Sequence, residues 1–93
     1  MPSDATTILR IDPIENEATT FGKVPGTINK WQGGVLSQID HCIYAVPADN
    51  STVLRIDTDP STPLSFDYVG SGFQDVGDKW QGGFVGRDGR IYA

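Results

Sequence analysis

The clearest chemical signal in this sequence is a five-residue string that occurs twice. Lys30-Trp31-Gln32-Gly33-Gly34 returns as Lys79-Trp80-Gln81-Gly82-Gly83, 49 residues later. An indole flanked by an ammonium and an amide suits a flat polar ligand, because the ring stacks while Lys and Gln donate hydrogen bonds. A saccharide-like molecule bound at a loop rim is the ligand class that fits. On that reading Lys30, Trp31, Gln32, Lys79, Trp80 and Gln81 are the ligand-contacting residues. The same five residues also suit packing. Trp then acts as a wedge between neighbouring sheets, the glycines allow close approach where a strand starts, and Gln bonds neighbouring backbone. Recurrence in both copies favours packing.

The remaining reactive residue types do not assemble into a site. Asp57-Thr58-Asp59 has carboxylates at a calcium-loop spacing, but its counterpart reads Asp12-Pro13-Ile14, and no glycine turn or distal glutamate follows. These aspartates read as turn caps, as does Asp88 before Gly89. His41 and Cys42 are adjacent, so on a strand they point to opposite faces, and their counterparts are Gly89 and Arg90. No third group completes a nucleophile. Arg10 and Arg55 both precede Ile-Asp and are placed to pair with aspartates across strands. No catalytic residue, metal site or cofactor is assigned. An enzyme would need carboxylates or histidines around a channel metal, against one histidine in the chain and no glutamate besides Glu15 and Glu17.

The elements that carry these residues are themselves repeated. Thr7-Ile8-Leu9-Arg10-Ile11-Asp12 returns as Thr52-Val53-Leu54-Arg55-Ile56-Asp57 at a spacing of 45, and Ile43-Tyr44-Ala45 returns as Ile91-Tyr92-Ala93 at 48. Phe21 matches Phe66 and Val24 matches Val69, both at 45. Self-similarity at this period marks a repeat architecture. Each unit reads as short strands: one entered through the paired glycines and starting at Gly34 or Gly83, one at Ile43 or Ile91, one at Thr52, and an outer one over 18–24 or 63–69. Apolar and β-branched alternation supports strands, Asp-Gly at 88–89 supports a hairpin, and no 3.6-residue period supports a helix. Four antiparallel strands every 45 to 49 residues is the period of a propeller blade.

The stretch from Ser51 to Gly70, with Gly82 to Ala93, resembles blades of the YVTN, NHL and SMP-30-like β-propellers. There a strand ending in Val-x-Ile-Asp precedes an outer strand, a glycine loop, an inner strand and Asp-Gly-x-x-Tyr. The resemblance covers nearly the whole chain and implies architecture. It brings no activity, since Lys-Trp-Gln-Gly-Gly is not the usual motif of those families.

The expected fold is all-β, with two four-stranded antiparallel propeller blades per chain. Residues 33–70 form a complete blade. The other is split, its outer two strands in 2–24 and its inner two in 82–93. Aligning Ala93, Met1, Pro2, Ser3 and Asp4 with Ala45, Val46, Pro47, Ala48 and Asp49 reproduces the crossing between second and third strands. Two blades are too few for a propeller, and a half-blade needs its other half. The expectation is therefore a homo-oligomer, three or four copies closing at six or eight blades, that serves as a scaffold or recognition module. A small ligand or glycan at the rim is its expected cargo. The alternatives are an SMP-30-like hydrolase or lyase, or a fragment of a longer propeller.

Composition agrees and narrows the partners. A net charge of −5 disfavours nucleic acid, whose phosphates require a basic face. No apolar run reaches the roughly 18 residues of a membrane span. The opening Met-Pro-Ser-Asp is too polar for a signal peptide, so the chain is expected to be soluble, with its compartment unassigned. One cysteine among 93 residues forbids an internal disulfide. A core this small therefore depends on its neighbours.

Overall fold

A computed structural model of the chain describes residues 1–74 and 76–93. It is all-β: among the described residues there are eight strands and no helix. They are β1 (Ile8–Asp12), β2 (Glu17–Phe21), β3 (Trp31–Leu36), β4 (Ile43–Pro47), β5 (Val53–Asp57), β6 (Ser65–Val69), β7 (Phe84–Val85) and β8 (Ile91–Tyr92). They form a two-stranded sheet β1-β2, a four-stranded sheet β3-β4-β5-β6 and a two-stranded sheet β7-β8. Every pairing is antiparallel between sequence neighbours.

Short polar side chains make the turns. Asp12 accepts from the backbone N–H of Ile14 and Glu15, Asn50 from Thr52, and Asp59 from Ser61. Each is a carboxylate or amide closing a turn on its own backbone, which fixes where one strand stops and the next begins. Asp40 and Asp88 do the same for Cys42 and Arg90, so β3-β4 and β7-β8 are hairpins with the same corner.

Two expectations need correction. The first inner strand starts at Trp31 rather than Gly34. Trp31 pairs with Pro47 and Gly34 with Ala45, and the register shifts between them. Gly33, at φ 77, supplies the left-handed residue that this bulge needs. The second concerns the outer strands. β1 and β2 are joined through 13–16, whereas β5 and β6 are joined through the longer stretch 58–64. Ile8 pairs with Phe21 and Val53 with Val69, so Phe21 holds the place of Val69 rather than Phe66. Val24 is not in the strand; it is buried beyond it, and its N–H donates to the Thr6 carbonyl at 2.9 Å. The shorter connection advances the whole return strand.

The core lies where sheet β1-β2 packs on the four-stranded sheet. Ile8 comes from the first and Val24 from the segment that follows it, and Trp31, Ala45, Leu54 and Ile56 come from the second, with Phe21, Ile43 and Phe66 around them. Leu54 and Ile56 reach it because alternate residues of a strand share a face. Glycine is required at position 22, where any Cβ would collide with the Phe66 ring.

Candidate functional site

The chain's chemistry concentrates at the junctions between its three sheets, and one junction is built twice. At the first, the N–H of Asn29 donates to Asp4 Oδ1 at 2.7 Å and the N–H of Lys30 to the Ser3 carbonyl at 2.9 Å. At the second, the N–H of Asp78 donates to Asp49 Oδ1 at 2.7 Å and that of Lys79 to the Ala48 carbonyl at 2.9 Å. Ser3-Asp4 thus stands to Asn29-Lys30 as Ala48-Asp49 stands to Asp78-Lys79. Asn29 and Asp78 both occupy the left-handed region, at φ 52 and 55, which Asn and Asp tolerate best among residues with a Cβ.

The polar side chains of this region are spent on structure. The Asn29 amide donates to Asp49 Oδ1 and Asp78 Oδ1, each at 2.7 Å, and so ties the crossing after β4 to the next copy of its own turn. Gln32 donates to Asn29 Oδ1. Lys30 is wholly buried, and its ammonium donates to the Thr27 carbonyl at 2.7 Å. Burial pulls it below the usual lysine range, with the Asp4 charge opposing. Lys79 makes the matching bond to the Val76 carbonyl at 3.2 Å. Asn29, Asp49, Asp78 and Asp4 went unnoticed among the sequence candidates. Their signal was available, since each pair precedes or follows a matched segment in both copies.

The two tryptophans differ. Trp31 is fully buried, its indole N–H donates to the Thr52 carbonyl at 2.7 Å, and its ring stacks on Tyr68 at 6.1 Å between centroids. Neither its face nor its donor is open to a ligand, and Lys30 beside it is likewise committed. Trp80 is 37% exposed and meets the Phe73 ring edge-on, with no counterpart of the bond to Thr52 among the described residues. Gln81 is exposed, and Gly82 N–H donates to the Gln32 carbonyl at 3.1 Å, which brings the two glycine pairs together.

The same contrast runs through the matched strands. Leu54 and Ile56 of β5 are 0% and 6% exposed, while their counterparts Leu9 and Ile11 of β1 are 60% and 68% exposed. Phe84 and Tyr92, in the place of Val35 and Tyr44, also stand largely in solvent. In the four-stranded sheet β4 pairs with β5, but β8 and β1 have no such partner in the described structure. Two clefts open beside these edges. One, of about 680 Å³, lies between the four-stranded sheet and β8, with Val53, Val69, Trp80 and Ala93 among its walls. The other, of about 480 Å³, lies beside β1, walled by Leu9, Ile11, Ile43 and Ile56 among others.

No family model, curated protein or solved structure matches the chain. Its own two copies are therefore the comparison that bears on function.

The structure separates the other sequence candidates. His41 holds a left-handed turn position at φ 59, where the second copy has Gly89 at φ 80, and its carbonyl accepts from the Thr58 hydroxyl. Burial first, then the Asp40 and Asp57 charges, push the Cys42 thiol above its usual range, which disfavours a thiolate. Asp57 accepts from the Asp59 backbone as a turn residue. Among the described residues no three His, Cys, Asp or Glu side chains are grouped to hold a metal ion. Arg55 makes a two-pronged pair with Asp67, whereas Arg10, opposite Thr19, lies only 4.0 Å from Asp12. Among the described residues no helix is long and apolar enough to cross a membrane.

Proposed function

We propose that the chain is a self-assembling β-propeller scaffold or recognition module, formed by head-to-tail association of two-blade units. One observation carries the reading. Residues of the same type, in the same sequence order, are buried in the four-stranded sheet and exposed in their other copy, with Leu54 against Leu9 of β1, Ile56 against Ile11 of β1, and Trp31 against Trp80 in the segment before β7. An apolar surface of this kind marks an interaction site. The surface that covers it in the complete sheet is another part of the same repeat, so the partner that fits is a second copy of this unit. The contact is heterologous, because the face given by β1-β2 differs from the face given by β7-β8. Such contacts generate rings when the rotation closes. Each copy would complete one blade of the next, and three or four copies would close at six or eight blades.

Packing is the role this reading gives to Lys-Trp-Gln-Gly-Gly, and recognition by the assembled ring would fall to its exposed loops. The test is the dependence of thermal stability on dilution. Because each copy finishes the core of another, Tm should rise with protein concentration. A Tm constant across a thousandfold dilution series, spanning nanomolar to micromolar protein, would overturn the proposal.

A further inference from the structure

The complete sheet is a template for the missing contact, and it gives that contact a register. Within the chain, β4 pairs with β5 as Ile43 with Ile56, Tyr44 with Arg55 and Ala45 with Leu54. Transferred through the repeat, the first member of each pair becomes Ile91, Tyr92 and Ala93, and the second becomes Ile11, Arg10 and Leu9. Every transferred pair keeps its residue types: Ile with Ile, Tyr with Arg, Ala with Leu. On the neighbouring ladder, the β3–β4 pair Trp31 with Pro47 transfers to Trp80 with Pro2 and keeps its types as well. A slip of one residue between β8 and β1 would turn the apolar side chains to the wrong face and break all three strand-pair matches.

We infer that β8 of one copy adds to β1 of the next, antiparallel, pairing Ile91 with Ile11, Tyr92 with Arg10 and Ala93 with Leu9. This inference rests on the self-association proposed above and specifies its geometry. Three groups with no hydrogen-bond partner among the described residues then find one. The Trp80 indole donates to the Thr7 carbonyl of the next copy, as Trp31 does to Thr52. The N–H of Ser3 in that copy donates to the Lys79 carbonyl, as Ala48 does to Lys30. The N–H of Asp4 donates to the Asp78 carbonyl, as Asp49 does to Asn29.

The two clefts are filled reciprocally. Leu9 and Ile11 of the next copy enter the cleft walled by Val53 and Val69 of the first. Phe84 and Tyr92 of the first enter the cleft walled by Ile43 and Ile56 of the next. Inside the chain this packing is already visible in miniature: a Cβ at Gly83 would lie 3.4 Å from Val35, whose counterpart is Phe84. At the seam Phe84 meets Gly34 of the next copy, the counterpart of Gly83. A small residue opposite a large one is retained, and the ring of Phe84 occupies more of the cleft than valine does.

The test is cysteine crosslinking in the full chain with Cys42→Ala as background. Leu9→Cys with Ala93→Cys reads the inferred register, and Arg10→Cys with Ala93→Cys reads a slip of one residue. All three positions are exposed in the single chain, so neither double variant disturbs its core. Under mild oxidation the 9/93 pair should give a ladder of covalent multimers that a reductant collapses to single chains, and the 10/93 pair should stay monomeric on the same gel. Equal or stronger crosslinking of the 10/93 pair would overturn the register. So would an absent 9/93 ladder in a sample that light scattering shows to be multimeric, and that result would leave self-association standing. A sample monomeric by light scattering would remove both proposals.

Discussion

Leu9 and Leu54 are the same residue at the same place in two copies of one repeat, so their replacement by alanine separates folding from association. Leu54 is fully buried in the core beside Trp31 and Ile56. Leu54→Ala should cost about 2–5 kcal/mol of chain stability, through lost burial and the cavity left behind, at every protein concentration. Leu9 is 60% exposed, so the single chain has little to lose there. Burying a whole leucine side chain contributes about 1.5–3 kcal/mol. The three-fifths of Leu9 still to be covered thus contributes about 1–2 kcal/mol per seam. That corresponds to roughly a tenfold weaker association at each seam for Leu9→Ala. Urea unfolding at high dilution gives the first quantity, and sedimentation across a concentration series gives the second. The reasoning fails if Leu9→Ala destabilises the dilute chain as much as Leu54→Ala does. It fails equally if sedimentation of Leu9→Ala matches that of the unaltered chain.

Other substitutions test the polar parts of the account. At the internal junction the Asn29 amide donates to Asp49, but at the proposed seam Asp78 takes Asn29's place and faces Asp4 of the next copy, carboxylate against carboxylate. Asp78→Asn should therefore tighten association about tenfold, by roughly 1.5 kcal/mol for one hydrogen bond to a charged group, read by sedimentation; weaker association would contradict the junction's transfer to the seam. Asp40 is drawn down to about 2, first by the Tyr44 hydroxyl and then by the Cys42 N–H. A depressed carboxyl of this kind stabilises the fold above the ordinary aspartate range, and that contribution is lost as pH falls through about 2. Tyr44→Phe should move the Asp40 titration upward in carboxyl-detected NMR, and an unmoved midpoint would discount the bond. His41→Gly should stabilise the chain by up to about 1 kcal/mol in chemical denaturation, the left-handed cost at this turn being partly offset by glycine's looser unfolded state. A loss of stability would mean that the imidazole has a contact of its own.

Strand order and sheet membership were legible because they depend on local pattern. Val53-Leu54-Arg55-Ile56 alternates, Asp40 and Asp88 mark corners, and the repeat gives each strand a second witness. Register and strand limits were harder to read. Matching Phe21 to Phe66 follows residue type, but the hairpin through 13–16 is shorter than the one through 58–64, and backbone pairing obeys the turn. The bulge after Trp31 was hidden for a similar reason, since a glycine pair is compatible with either a strand start or an interruption. Trp31 and Lys30 looked like ligand groups because residue type states what a side chain can do and says nothing of whether it is covered. The Asn29–Asp49–Asp78 network joins residues distant in sequence. Only the folded chain brings the amide and its two carboxylates within hydrogen-bonding distance.

The central claim is that the exposed half-sheets are completed by copies of the same unit. Native mass spectrometry at micromolar concentration tests it most directly. The account predicts one closed species of three or four chains, unchanged in stoichiometry as concentration rises. A spectrum of single chains alone at that concentration would contradict it, as would an open series of ever larger multimers, which would mean that the contacts do not close.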